Sequence, residues 1–154
     1  MKISIGSDHA GFQYKKHIAI YLTRLKHDVM DFGTYSDDPN DDYPCYILPA
    51  AEAVIKREAE RVIVIGGSGN GEAIAANKVP GIRCALCWNG ESAKYARLHN
   101  NANALSLGQR MISIEIALSI VQIWLETPFE GGRHQRRIEA IYQYESSMKR
   151  VQFS

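Results

Sequence analysis

The chain has 154 residues, 45% of them apolar and 23% charged, with a formal net charge of +1. That length supports one domain spanning residues 1–154 with a sizeable core, and the composition excludes a disordered or fibrous chain. The near-neutral balance carries no electrostatic footprint for nucleic acid or a membrane surface, so neither is expected as a partner.

"KISIG" (2–6) is a β-branched run closed by glycine, and "GFQYKKHIAIYLTRLKH" (11–27) has apolar residues at helical spacing, so a strand feeds a helix. "DVMDFG" (28–33) reads as a second strand, and the acid-rich "TYSDDPNDDYP" (34–44) as a loop. A helix is expected over 46–60, with Pro49 tolerable only in its first turn. "RVIVIGG" (61–67) is a continuous apolar strand of the kind covered on both faces in a parallel sheet. The glycine loop and a helical "EAIAANK" follow, then a strand at 81–88, a helix at 90–100 and a strand at 103–108. A buried helix at 111–125 and a charged helix from about Arg133 to Lys149 complete the order. The alternation predicts a three-layer, Rossmann-like α/β/α sandwich with a mostly parallel five-stranded sheet, and ligands in such sheets bind beyond the carboxyl ends of the strands.

Three cysteines, Cys45, Cys84 and Cys87, form no disulfide framework and fit a reducing cytoplasm. The beginning of the sequence resembles no signal peptide, and the longest apolar stretch is too short for a membrane span. Residues three apart in a strand face opposite sides, so "CALC" is read as buried structural thiols rather than a zinc site, and Cys45 likewise.

The chemistry concentrates in "GGSGNGEAIAANK" (66–78). It is neither a dinucleotide fingerprint, since Glu72 stands where the third glycine belongs, nor a P-loop, since the lysine and hydroxyl are missing. Backbone N–H groups at a helix start favour negative charge, yet Glu72 would repel a permanent phosphate. A transient oxyanion beside a carboxylate base suits the pair better, as in proton abstraction next to a carbonyl. The bland reading is that Glu72 caps the helix. "SDHAG" (7–11) sets Asp8 and His9 at a strand end, where Asp8 is equally a helix cap. "RLHNNAN" (97–103) puts His99 and Asn100 at a helix end, where a histidine is favoured by the dipole. In "GGRHQRRIEAIYQYE", Arg133 and Arg137 share a helix face and form either a phosphate clamp or a solvated basic face, whereas His134 and Arg136 point elsewhere.

"SDHAG", "DDYP", "GGSGNGEAIAANKVPGIR", "HNNAN", "GQR" and "GGRHQRRI" occur in one order across essentially the whole chain. In this the sequence is similar to the ribose-5-phosphate isomerase B family, which also includes galactose- and allose-phosphate isomerases. The resemblance implies a cofactor-free and metal-free aldose–ketose isomerase of the pentose phosphate pathway, acting through an enediolate. Many members use a cysteine base where this chain has Gly66, so the resemblance is to the glutamate-type branch. It implies Glu72 as the proton shuttle and the backbone of Gly67, Ser68, Gly69, Asn70 and Gly71, with the Ser68 hydroxyl, as the oxyanion holder. It further implies His99, assisted by Asp8, in ring opening, and His9, Arg133 and Arg137 on the phosphate. Arg110, Asn100 and Tyr43 would complete the pocket. A homodimer or homotetramer with interfacial sites is implied, with His99, Asn100 and Arg110 as candidates to come from the neighbouring chain. Two rival expectations are an isomerase of a six-carbon sugar phosphate such as allose 6-phosphate, and a non-catalytic nucleotide- or flavin-binding module.

Overall fold

The central strand forms where the sequence is continuously apolar, and strands and helices alternate along the chain. The computed structural model describes residues 1–151, with side chains as far as Met148. β1 (Lys2–Ser7) leads through a short 3₁₀ turn (His9–Gly11) into α1 (Phe12–Arg24) and then β2 (Asp28–Asp31). α2 (Pro44–Ile55), β3 (Arg61–Gly66), α3 (Asn70–Ala76) and β4 (Cys84–Leu86) follow. α4 (Gly90–Asn100), β5 (Ala104–Gly108), α5 (Ile114–Glu126) and α6 (Arg133–Val151) complete the fold.

The five strands are all parallel, in the order β2-β1-β3-β5-β4. Side chains alternate across a strand, and the alternation divides the core in two. Ile3, Ile5, Ile63, Ile65, Leu105 and Leu107 face one side, where they pack with Ile18, Leu22, Ile120 and Trp124 of α1 and α5. Val62, Val64 and Ala104 face the other and meet Ile47, Ala50, Ala51, Ala75 and Ala76 of α2 and α3. This second face is built of small residues because the helices approach closely. The Ser4 hydroxyl donates to the Ala50 carbonyl at 2.8 Å, and the Ser106 hydroxyl to the Gly69 carbonyl at 2.7 Å.

From β1 the chain crosses one face to reach β2, then returns by the other face to β3 on the far side of β1. The loops after β1 and β3 therefore part company, opening a crevice at their carboxyl ends, the expected ligand position in an open α/β sheet. α4 shows how local chemistry sets boundaries. Asn89 and Ser92 form a reciprocal capping box at its start, and Asn101 ends it in the left-handed region at φ 43°.

Three expectations need correction. α2 begins at Pro44, which occupies the first turn where its missing N–H costs nothing, so Pro49 lies in the second turn, inside the helix. α5 starts at Ile114, and it buries one face through Ala117, Ile120, Val121 and Trp124 while Ile116 stays exposed. Cys45 is exposed because it opens α2 on the solvent side, whereas Cys84 and Cys87 do pack in the two opposite core layers. Burial raises both thiols above the ordinary range, Cys87 to about 11, which suits inert packing.

Ile63 lies in the central strand and is fully buried. Ile63→Ala is expected to cost about 2–5 kcal/mol through lost burial and the cavity left behind, read as a lower urea midpoint with an unchanged slope.

Candidate active site

The polar residues gather at the two opposite edges of the sheet. At the carboxyl edge, β1 delivers Asp8 and His9, β3 runs into the glycine loop, and β5 runs into Gln109 and Arg110. The amides of Gln109 and Arg110 donate to the Gly66 and Gly67 carbonyls at 2.8 and 3.0 Å, tying the third and fifth strand ends together. Arg110 extends over Gly67, where a Cβ would lie 3.2 Å from its guanidinium, so it belongs to the Glu72 side of the same chain rather than to a neighbour. The Gln109 side chain accepts the Tyr14 amide of α1 at 2.9 Å and so serves the fold.

Glu72 is 4% exposed and occupies the first turn of α3. Its carboxylate fills the space beside Gly66: a Cβ there would come within 2.0 Å of a carboxylate oxygen. A side chain at 66 and the Glu72 carboxylate cannot share that volume, which accounts for the glycine. Tyr43 closes another wall, its ring 2.8 Å from where a Gly71 Cβ would stand. Gly69 turns the loop through the left-handed region at φ 81°, where a side chain would be strained. The Ser68 hydroxyl accepts the Asn70 amide at 3.2 Å, whereas the amides of Gly67, Ser68 and Gly71 have no acceptor among the described residues.

Asp8 caps the 3₁₀ turn by accepting the Gly11 amide at 3.2 Å, so the bland reading of Asp8 holds as well. Burial raises its carboxyl above the ordinary range, against the pull of His9. Burial likewise raises Glu72, against the bond from its own amide, and the neighbouring Asp8 charge adds to the rise. His9 is raised chiefly by its hydrogen bond to Asp41, whose carboxylate meets His9 Nδ1 at 2.6 Å. Asp41 opens the "DDYP" stretch of the acid-rich loop, but nothing in its spacing pairs it with His9, which it meets only through folding.

The second cluster lies at the amino edge. His99 and Asn100 end α4 just before β5 begins, and α6 starts beside them. The His99 and His134 rings stack with centroids 4.3 Å apart and planes 10° apart, and Glu130 approaches both at 3.7 and 4.0 Å. His134 is 5% exposed: it points away from the arginine face, as expected, but it is packed against His99 and not peripheral. Its place opposite the arginine face turned it into the packing layer against α4. Burial lowers its basicity, with the charges of His99, Arg133 and Arg137 adding to the effect. Arg133 and Arg137 are exposed on the first turns of α6, and Asn100 is exposed, its carbonyl accepting from Arg83. Within one chain, then, Asp8, His9, Tyr43, Glu72, Arg110 and the loop come together. His99, Asn100, Arg133 and Arg137 form a separate group across the sheet.

Residues 3–141 match the family model for ribose/galactose isomerase. The chain belongs to the ribose/galactose isomerase family. It is 47% identical over 146 residues to ribose-5-phosphate isomerase B of Mycolicibacterium paratuberculosis, covering 94% of this chain and 92% of that one. Its fold is similar to the Clostridium thermocellum ribose-5-phosphate isomerase B structure, with a TM-score of 0.94 and 48% identity over 96% of this chain and 99% of that one. A Mycoplasma genitalium ribose-5-phosphate isomerase B solved with bound ribulose-5-phosphate is also similar, at TM-score 0.91 and 42% identity over 94% and 96% of the chains. Membership of an isomerase family weighs against the nucleotide- or flavin-binding module.

The buried Glu72 has a consequence for stability. Its folded value is raised above the ordinary 4.5, so it favours folding at low pH, and this advantage is lost as pH rises through the folded value. Ionised Glu72 thus opposes folding at neutral pH. Glu72→Gln is expected to raise the thermal midpoint over the parent at pH 7.5 and to lose that advantage near pH 4, measured by calorimetry at both values.

Proposed function

We propose that this chain interconverts D-ribose 5-phosphate and D-ribulose 5-phosphate through an enediolate. The observation that carries the reading is the Glu72 carboxylate, 4% exposed, held beside a loop whose Gly67, Ser68 and Gly71 amides have no acceptor among the described residues. A base already held above the ordinary carboxylate range suits proton removal next to a carbonyl, and aligned amides suit the oxyanion that follows. Ribulose 5-phosphate bound to the M. genitalium relative supports the same substrate class.

Starting from the aldose, Glu72 takes the proton from C2, and the electron pair forms the C1–C2 double bond as O1 becomes an oxyanion. The loop amides and the Ser68 hydroxyl hold that oxygen. The O2 proton passes to O1, Glu72 returns its proton to C1, and the carbonyl re-forms at C2. Asn70 keeps the Ser68 hydroxyl in place through its amide and side chain, both at 3.2 Å, while Gly69 supplies the turn. Tyr43 and Arg110 line the walls, and Asp8 stands next to the reacting end.

His99, Asn100, Arg133 and Arg137 lie at the sheet edge opposite Glu72, so a complete site needs them from a second copy of the chain. In this arrangement His99 opens the furanose ring, and Arg133 and Arg137 bind the phosphate together with His9. Ile141, Tyr144 and Met148 are exposed along α6 and offer apolar surface for such a contact. A homodimer is the simplest assembly that satisfies this, with the site residues of each copy completing the other's pocket.

Proton NMR of ribose 5-phosphate in D₂O tests the chemistry. The parent is expected to form ribulose 5-phosphate with deuterium exchange, while Glu72→Gln loses about 10²–10⁴-fold in kcat. Folded parent that gives neither conversion nor exchange would refute the reaction. Mixing tests the shared site: Glu72→Gln and His99→Asn are each expected to be inactive, and co-refolded chains to recover about a quarter of parental activity, because only mixed dimers regain one intact site. No recovery from chains shown to mix would place both residues in one subunit's site.

A further inference from the structure

Asp41 has no part in the reaction as derived, yet the fold invests a buried carboxylate in it. Asp37, Asp38 and Asp42 of the same loop are exposed, whereas the Asp41 side chain is 6% exposed. Its two oxygens accept the His9 backbone amide at 3.1 and 3.0 Å, and Oδ1 meets the ring Nδ1 at 2.6 Å. One carboxylate thereby holds both the backbone and the ring of a residue far away in sequence. Among the described residues, Nε2 has no hydrogen-bond partner, and the His9 side chain remains 25% exposed. It is the ring's open edge.

The arrangement selects a protonation state. An ionised carboxylate only accepts, so the proton on Nδ1 is fixed by Asp41. A neutral ring would then present the Nε2 lone pair, which repels an anion. Only the imidazolium offers an Nε2–H to a phosphate oxygen. We propose that Asp41 is a positioning residue that fixes the His9 ring and its Nδ1 proton, so that Nε2–H donates to the phosphate of the sugar. The proposal rests on the isomerase reading, in which His9 holds that phosphate. The surrounding charges favour the cation: Asp41, Asp8 and Asp37 all raise His9, with the Asp41 hydrogen bond foremost and burial opposing. Arg110, extending over neighbouring Gly67, is the nearby cation from the fifth-strand side, and Arg133 and Arg137 of a second copy would join it around the phosphate.

Because the folded value of His9 is raised, the cation persists to higher pH than in a free histidine and is lost as pH rises through the folded value. The KM for ribose 5-phosphate is therefore expected to rise on the alkaline side while kcat changes little. Steady-state kinetics between pH 6 and pH 9.5 on the parent, Asp41→Asn and His9→Gln test this. The asparagine can keep the geometry but not the charge. Asp41→Asn is expected to raise KM about tenfold at pH 7.5, with kcat altered less than about threefold, and to move the alkaline rise to lower pH. His9→Gln is expected to raise KM at every pH and to remove the rise.

An Asp41→Asn enzyme with parental KM and pH profile, beside a His9→Gln enzyme with raised KM, would overturn the role of Asp41 and leave the isomerase reading standing. An unchanged KM in His9→Gln would remove His9 from the phosphate and the inference with it, while C2 exchange in D₂O decides separately whether the chain is an isomerase. Equal loss of kcat at every pH, without a shifted profile, would make Asp41 merely structural. Should Asp41→Asn fail to fold, NMR titration of the parental His9 ring gives the answer. Titration above the ordinary 6.5 with a shift on adding inorganic phosphate supports the proposal, and titration at or below 6.5 overturns it.

Discussion

At the junction of β1 and β3, backbone lies against backbone with no side chain between, and the carboxyl edge is shaped by that contact. A Cβ on Gly11 would fall 2.3 Å from the Ile65 carbonyl oxygen, and one on Gly66 would fall within the Glu72 carboxylate. The first approach seats the turn carrying Asp8 and His9 on the end of β3. The second leaves a slot in which a carboxylate can be buried beside free amides. The small residues Ser4, Gly6, Ala104 and Ser106 extend the same principle across that face of the sheet, letting α2 and α3 sit close enough to position Tyr43 and the glycine loop.

Burying charge in such a slot is costly, and the site distributes the cost unevenly. Glu72 and Asp8 are both raised by burial, Asp8 against the pull of His9 and Glu72 against the bond from its own amide, which favours a base able to accept a proton. Asp41 and His9 are instead matched, carboxylate to imidazole, in bonds of 2.6 to 3.1 Å. The two pairs stand side by side with opposite tasks: one group is poised to gain a proton, the other to keep one. At the far edge, burial lowers the basicity of His134 beside His99, and nearby cations add to the effect. Arg97, buried under the same helix end and brought down to about 10, ties the start of β5 to α4 through the Ala102 carbonyl at 2.7 Å.

The two edges pose a geometric problem that a single copy does not solve. In a parallel sheet every strand begins at one edge and ends at the other, so residues after β3 and residues before β5 are separated by the length of the strands. A reaction that uses Glu72 and His99 together must bring opposite edges of two molecules into register. Under the proposed function, topology rather than any one contact is what would link oligomerisation to catalysis.

The sequence by itself determined the alternating elements, the parallel sheet, the helix at 90–100, and the placing of Glu72, Asp8, His9 and the glycine loop at the carboxyl edge. These are legible because apolar runs, capping residues and glycines act over a few neighbouring positions. Tertiary structure alone decided that Arg110 sides with Glu72, that His134 stacks on His99, that Cys45 faces outward, and that Asp41 grips His9 across a separation of 32 residues. Each of these depends on where distant segments arrive once the sheet has closed. A loop aspartate or a helix histidine looks the same in sequence whether it ends in solvent or against a partner, because burial and hydrogen bonding are settled by packing.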